Sequence, residues 1–425
     1  MSIMNRHSSI ENRLAVALLT GGRDRPYVLG LAPALLSQGA ALDLIGSDYL
    51  ESPGFHGKPG VNFLNLRSDL RPDAGFVKKV LRVLWYYARL IRYATTAKPR
   101  IFHILWNNKF QLFDGTLLML YYKLLGKRIV FTAHNVNAGI RDSKDSPLNR
   151  LTLRVQYRLA DHILVHTDKM KMELIKEFSV QGDRVSVIPF GINNSVPNTP
   201  LTPAEAKQRL GIREAEKTIL FFGNITPYKG LEYLVKAFQQ HLAQPDDYRL
   251  IIAGVPRNCG RYWDGIRAAI REGVERGRIL LRAEFVPDEE AEVYFKAADV
   301  LVLPYRHIYQ SGVLFTGHNF GLPALVADVG SLKDDIVEYK TGFVFRPEDP
   351  VDLARTIEKY FASDLFANLN SRRQEIRDYA TQRHSWEVVS QITMSVYAGL
   401  LRGAAREEVA KANVSGASPD VKFPS

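Results

Sequence analysis

Short apolar runs, many of them rich in Val, Ile and Leu, recur along the first half of the chain at 15–19, 42–45, 101–105, 129–132 and 163–165. The stretches between them are long enough for helices. Continuous apolar strands alternating with helices predict a parallel sheet buried on both faces, because each crossover helix must cover a face of the sheet. A second series begins at 219–222 and continues through 250–253, 279–282, 300–303 and 324–326. The restart predicts a second α/β unit.

Between the two series, Pro189, Pro197, Pro200 and Pro203 alternate with Asn193, Asn194 and Asn198, which suits an exposed connection. Thr202, Pro203 and Glu205 then form a capping-box pattern that opens a helix. The expected organisation is a first domain at 1–192, a linker at 193–203 and a second domain at 204–385. A helix follows at about 386–402, and then a polar tail at 403–425, broken by Gly and Pro and too poor in apolar residues to order itself.

No apolar run approaches the roughly 18–20 residues of a membrane-spanning helix. The first one, Leu14 to Leu19, leads straight into Thr20-Gly21-Gly22 and reads as a buried strand rather than a signal-peptide core. Hydrophobic residues at 46% and charged residues at 24% describe an ordinary globular chain and exclude fibrous or disulfide-stapled classes. Cys259 is the only cysteine, so the chain has no internal disulfide and no Cys-based zinc site, and a reducing cytoplasm suits it.

Charge is the unusual number. Of a net +11, residues 1–200 carry 27 basic and 15 acidic groups (+12), and residues 201–425 carry 29 and 30 (−1). Such asymmetry suggests that the first half meets something anionic, nucleic acid or a membrane surface; the alternative is a solubility bias without a partner. Residues 76–100 hold Lys78, Lys79, Arg82, Arg89, Arg92, Lys98 and Arg100 and no acidic residue. Phe76, Val80, Val83, Leu84, Tyr87, Leu90 and Ile91 repeat at helical spacing, with Lys78, Arg82, Arg89 and Arg92 on another face. Two readings of this basic amphipathic helix stand. Its apolar stripe packs on the sheet beneath a solvated basic face, or Lys78, Lys79, Arg82, Arg89 and Arg92 meet anionic phospholipid. No helix-turn-helix, zinc-finger or RNA-binding signature accompanies the charge, which disfavours nucleic acid.

Two turns can bind anions. The strand ending at Phe222 runs into Gly223-Asn224 and then Lys229-Gly230 before a helix, and ligands of open α/β sheets bind beyond such strand ends. Lys229 is placed to meet a phosphate; the alternative is a plain turn with a solvated lysine. The Walker spacing is absent. The strand Leu301-Val302-Leu303 is followed by Gln310-Ser311-Gly312-Val313 at a helix start, where free amides offer a second anion site, unless Ser311 is merely an N-cap. Together the two turns would hold a diphosphate. Gly21-Gly22-Arg23-Asp24-Arg25-Pro26 is not the dinucleotide fingerprint, which disfavours an oxidoreductase.

Gly223 to Gly230, Ala253-Gly254, Phe285-Val286-Pro287-Asp288, Ala298-Asp299-Val300, Gly321-Leu322-Pro323 and Thr341-Gly342-Phe343 follow one another in an order and spacing that resembles the nucleotide-sugar domain of family 4 glycosyltransferases. The first half is similar more loosely, through Gly21-Gly22, His134-Asn135 and Val187 to Ile192. The resemblance implies a GT-B fold, two Rossmann-like parallel-sheet domains facing across a cleft, with the helix at 386–402 packed back on the first. It also implies retaining transfer of a sugar from a nucleotide diphosphate sugar to a polysaccharide or lipid-linked acceptor, without metal or cofactor; the single cysteine suits the cytoplasm, and the basic helix suits a place on the inner face of the plasma membrane.

By the same resemblance Lys229 and the Ser311-Gly312-Val313 amides stabilise the leaving diphosphate, which itself takes the acceptor proton. His134 contacts the donor sugar, or else only caps a strand end. The implied donor set is Gly21, Gly22, Gly223, Asn224, Lys229, Gly254, Val286, Gln310, Ser311, Gly312, Val313 and Thr316. The chain departs from the family pattern in two places. Asn224 stands where an arginine is usual, and the places of two glutamates fall near Ile308 and Thr316, in a Gln-Ser-Gly-Val version similar to a bacterial subgroup. A nucleotide-sugar epimerase of the same fold and a catalytically inactive partner subunit are the alternatives.

Overall fold

The computed structural model describes residues 14–22, 24–69, 75–108, 110–141, 145–192, 196–242 and 247–415. The first sheet has seven parallel strands, β1 (Leu14–Leu19), β2 (Ala40–Gly46), β3 (Val61–Asn65), β4 (Ile101–Ile104), β5 (Arg128–Ala133), β6 (His162–Val165) and β7 (Val185–Val187), in the order β3-β2-β1-β4-β5-β6-β7. The chain leaves β1 in one direction and returns to continue from β4 in the other, so right-handed crossovers put helices on both faces. The helix Arg25–Ser37 covers one face, and the helices Phe76–Thr96, Pro147–Leu159 and Asp168–Phe178 cover the other.

The second sheet repeats the plan with β8 (Lys217–Phe222), β9 (Tyr248–Ala253), β10 (Ile279–Arg282), β11 (Val300–Leu303), β12 (Ala324–Ala327) and β13 (Gly342–Phe345), in the order β10-β9-β8-β11-β12-β13. The strand order reverses at β1/β4 and at β8/β11, and ligand crevices open beyond the carboxyl ends of strands at such switch points. Periodicity finds ten of these strands. It passes over β3, β7 and β13, which are short and lie at sheet edges.

The capping box is formed as the sequence suggests: Glu205 N donates to Thr202 Oγ1 at 3.2 Å and Thr202 N to Glu205 Oε2 at 2.8 Å. The final helix, Trp386–Ser415, returns to the first domain. Trp386, Val389 and Tyr397 join the core built by Val16, Leu18, Val28 and Leu31. Trp386 Nε1 donates to Ile192 O at 2.7 Å, and Tyr397 Oη lies 2.6 Å from His103 Nδ1. Small residues make this docking possible, since a Cβ at Gly30 would come within 2.0 Å of the Trp386 ring and one at Gly191 within 2.4 Å.

The helix continues through the first part of the tail expected at 403–425, as far as Ser415, where Ala, Glu and Lys are good helix formers. Residues 416–425, and 193–195 of the expected linker, lie outside the described residues. No helix among the described residues is long and apolar enough to cross a membrane.

Candidate active site

A cavity of about 540 Å³ lies between the domains, where the carboxyl ends of the two sheets face each other. Its chemistry begins at the end of β8. Gly223 has φ 94°, a left-handed conformation natural to glycine, and its N–H donates to Ala253 O at 2.9 Å. The turn Pro227–Lys229 ends at Gly230, where a Cβ would stand 2.0 Å from Pro304 O. The loops after β8 and β11 are thus pressed together, and Lys229 is folded inward.

Lys229 is only 6% exposed, and its ammonium lies 5.4 Å from the centre of the Tyr305 ring. Burial pushes it below the usual lysine range. No carboxylate among the described residues pairs with it. A buried, uncompensated cation is costly, and an anion bound beside it removes that cost.

The loop after β11 supplies the facing wall. Ser311 is the N-cap of the helix Gly312–Asn319, yet its side chain caps no amide and instead lies 3.3 Å from Tyr305 Oη. Leu314 N donates to Ser311 O at 3.0 Å, whereas the first two amides, those of Gly312 and Val313, have no intrahelical acceptor and belong to residues that line the cavity. Thr316 Oγ1 donates back to Gly312 O at 3.0 Å.

Of the residues implied to bind the donor, Asn224, Lys229, Val286, Gln310, Ser311, Gly312, Val313 and Thr316 line this one cavity. Gly21, Gly22, Gly223 and Gly254 do not. A Cβ at Gly254 would be 1.9 Å from Gly223 O, so this glycine supports the loop after β8 from behind. Gly21 abuts the carbonyls of Trp106 and Asn107, and Gly22 abuts Arg67 and Ser47; the first-domain loop reaches the cavity through Asp24 and Tyr27 instead. Asp24 has φ 52° and caps the helix Arg25–Ser37, its carboxylate accepting from Tyr27 N at 3.3 Å.

His134 is not part of the cavity wall either. Its ring stacks on Trp106 at 4.0 Å, meets Tyr27 edge-on at 4.8 Å, and its Nδ1 lies 2.9 Å from His166 Nε2. Burial, then the nearby His166 and His103, hold its imidazole well below the usual range, so it is neutral at pH 7. Sequence reasoning also missed Tyr305 and Phe190, which reach the cavity from loops, and Trp386, which reaches it from the start of the final helix.

The basic helix Phe76–Thr96 is divided. Tyr86, Tyr87, Leu90 and Ala94 are buried against the sheet, whereas Val77, Val80, Leu81, Leu84 and Trp85 are exposed. Val80, Leu84 and Ile91 thus face outward, and the sheet-facing stripe runs through Tyr86, Tyr87, Leu90 and Ala94 instead. Lys78, Arg89 and Arg92 are exposed; Lys79 and Arg82 are half-buried, and Arg82 lies 3.4 Å from Asp69. Leu117, Leu120 and Leu124 extend the apolar surface on the neighbouring crossover.

Residues 216–363 match the family pattern described as Glycosyl transferases group 1, and residues 26–196 match Glycosyltransferase Family 4, one for each half of the molecule. The chain belongs to the family 4 glycosyltransferases. Among the relatives of this glycosyltransferase is a D-inositol 3-phosphate glycosyltransferase of Corynebacterium diphtheriae, 28% identical over 252 residues, covering 56% of this chain and 57% of that one. That of Corynebacterium glutamicum is 25% identical over 337 residues, covering 76% and 79%. The chain thus spans little more than half of the first relative and about four-fifths of the second. Sucrose-phosphate synthase from Thermosynechococcus elongatus superposes with a TM-score of 0.73 at 19% identity, over 92% of this chain and 100% of that one. Anabaena HepE in complex with UDP-glucose does so with a TM-score of 0.67 at 14% identity, over 91% and 99%. These likenesses establish the GT-B fold of the glycosyltransferase, two parallel-sheet domains facing across a cleft.

Proposed function

We propose that the protein transfers a sugar, with retention of configuration, from a nucleotide diphosphate sugar to a glycan or lipid-linked acceptor. The buried and uncompensated Lys229 carries the reading, since a diphosphate is the anion that its position and the neighbouring first-turn amides suit. As the bond from the anomeric carbon to the phosphate oxygen breaks, charge develops beside the Lys229 ammonium and the Gly312 and Val313 amides. The acceptor oxygen forms the new bond to that carbon, and its proton passes to the departing phosphate. Stabilisation without metal or cofactor is part of this proposal and rests on the charge these groups supply. Neutral His134 lies behind Tyr27, outside the cavity wall, and does not carry this reading.

Nucleotides of uridine head the donor panel because HepE is held with UDP-glucose, and inositol phosphate joins the acceptor panel because of the relatives' names. With UDP-, GDP- and ADP-sugars, a bound donor at 100 times its dissociation constant adds about 2.7 kcal/mol to stability, a clear thermal shift. Absence of binding to every donor, with capture of a second glycosyltransferase instead, would favour the inactive-subunit reading.

The first domain rests on an anionic membrane surface through the helix Phe76–Thr96. Exposed Val77, Leu81, Leu84 and Trp85 beside Lys78, Arg89 and Arg92 support this, since apolar side chains enter the headgroup layer while each basic group adds about 1 kcal/mol. The enzyme would then work on the inner face of the plasma membrane, on an acceptor presented there.

A further inference from the structure

A second cavity, of about 440 Å³, adjoins the first, and Gln310 lines both. Its volume falls in the range of small-molecule sites, roughly 300–1,000 Å³. The loop after β12 forms one wall. Gly330, at φ 57°, is pressed so closely on the preceding loop that a Cβ would lie 1.6 Å from Ile308 O, and Ser331 N donates to Tyr309 O at 2.9 Å. Lys169 of the first domain closes onto the same loop, its Nζ donating to Gly330 O at 2.5 Å. The site is therefore built from both domains and braced by backbone contacts.

Its polar groups are only partly paired with one another. Ser331 is 2% exposed, and its Oγ has no hydrogen-bond partner among the described residues. Gln310 Nε2 donates to Asp335 Oδ2 at 3.3 Å, which leaves Gln310 Oε1 buried and without a partner. Asp335 is 4% exposed, and burial pushes its carboxyl up to about 7 against the pull of Arg383. His384 Nε2 lies 4.0 Å from Asp335 Oδ1, and burial holds that imidazole near 4, so it is neutral at pH 7.

An unpaired buried hydroxyl and amide oxygen lower stability unless something binds them. A ligand there donates to Gln310 Oε1 and can exchange a hydrogen bond in either direction with Ser331 Oγ. Asp168, Asp334 and Asp335 offset Lys169 and Arg383 in the lining, which leaves no excess positive charge for a phosphate, so the matching chemistry is a neutral, hydroxylated ring. We infer that the second cavity is a sugar-ring subsite in which Ser331 Oγ, Gln310 Oε1 and the Asp335 carboxyl bind ring hydroxyls. The inference rests on the nucleotide-sugar reading for its two sources, the sugar of the donor and the sugar of the acceptor, since Gln310 places the subsite next to the donor cavity.

Saturation-transfer NMR with methyl α-D-glucopyranoside, methyl α-D-mannopyranoside and methyl β-D-galactopyranoside tests it, alongside calorimetry with UDP, UDP-glucose and their GDP and ADP counterparts. Ser331→Ala removes an atom without a partner and so spares the fold, and Asp335→Asn keeps the shape of the side chain. The expected result is at least fivefold weaker binding of hexoside, or of nucleotide sugar relative to its nucleotide, in both variants. Displacement of the hexoside by a nucleotide sugar but not by the bare nucleotide assigns the subsite to the donor; persistence of both together assigns it to the acceptor. Hexoside binding and nucleotide-sugar to nucleotide affinity ratios that are the same in both variants as in the parent overturn the subsite. Failure of every nucleotide and nucleotide sugar to bind overturns the donor reading instead, and the hexoside arm still decides the cavity.

Discussion

The Lys229 ammonium lies beside Gly223, so close that a Cβ on that glycine would come within 3.0 Å of Nζ. The left-handed φ of 94° at Gly223 and the inward fold of Lys229 are thus one device, in which a missing side chain makes room for a cation. Lys229→Ala is expected to lower transfer at least tenfold, about 1.4 kcal/mol in barrier, and unchanged turnover would remove Lys229 from its role. Lys229→Met should leave the ligand-free protein as stable or more so, because it replaces an unpaired buried charge with an apolar chain. A fall in melting temperature on that change would show that the ammonium already has a partner. Gly223→Ala should damage both stability and activity.

A structural ion pair gives the opposite behaviour. Lys207 Nζ lies 2.9 Å from Asp299 Oδ2, which also accepts from Thr218 N at 2.8 Å, and both side chains are buried. Lys207→Met leaves a buried carboxylate unpaired and should cost about 3–5 kcal/mol. Urea unfolding checks this: a loss below about 1 kcal/mol would mean that the backbone amide suffices.

Acid should loosen the contact between the last helix and the first sheet. His103 is fully buried between Tyr397 Oη at 2.6 Å and Thr132 Oγ1 at 2.7 Å, and burial holds its imidazole near 3. Unfolded, it would take up a proton near 6.5. The unfolded state therefore binds more protons between these values, so stability is present above pH 6.5 and is lost as pH falls towards 3, at up to about 1.4 kcal/mol per unit. His103→Gln should show a shallower acid loss than the parent between pH 6 and 4, and parallel curves would count against this origin.

Liposome flotation addresses the membrane face. Leu84→Glu and Trp85→Glu alter exposed side chains and should leave the fold intact while weakening capture by phosphatidylglycerol vesicles at least fivefold. Equal capture by neutral and anionic vesicles would argue against the basic residues Lys78, Arg89 and Arg92.

Much of this architecture was legible because local chemistry and global fold agree. The restart of apolar strands after Pro203 marks the second sheet, and Lys229 and Gln310 to Thr316 were placed at strand ends where the cavity does lie. Of the four edge strands only β10 was, because β3 and β7 show no continuous apolar run, β13 opens on Gly342, and all three take their stability from the strand beside them rather than from a pattern of their own.

By itself, the sequence determined that there are two parallel α/β units, which strand ends carry glycine and lysine, and that excess positive charge belongs to the first half. Periodicity and turn chemistry act over a few residues and need no partner to be read. Only the tertiary structure decided that Gly254 backs the loop after β8, that His134 sits in an aromatic stack beside His166, that half of the basic helix turns its leucines outward, and that Ser331, Asp335 and Gln310 meet across one cavity. Each of these depends on what approaches from a distant segment, and burial, steric exclusion and an unpaired hydrogen bond exist only once those segments have packed.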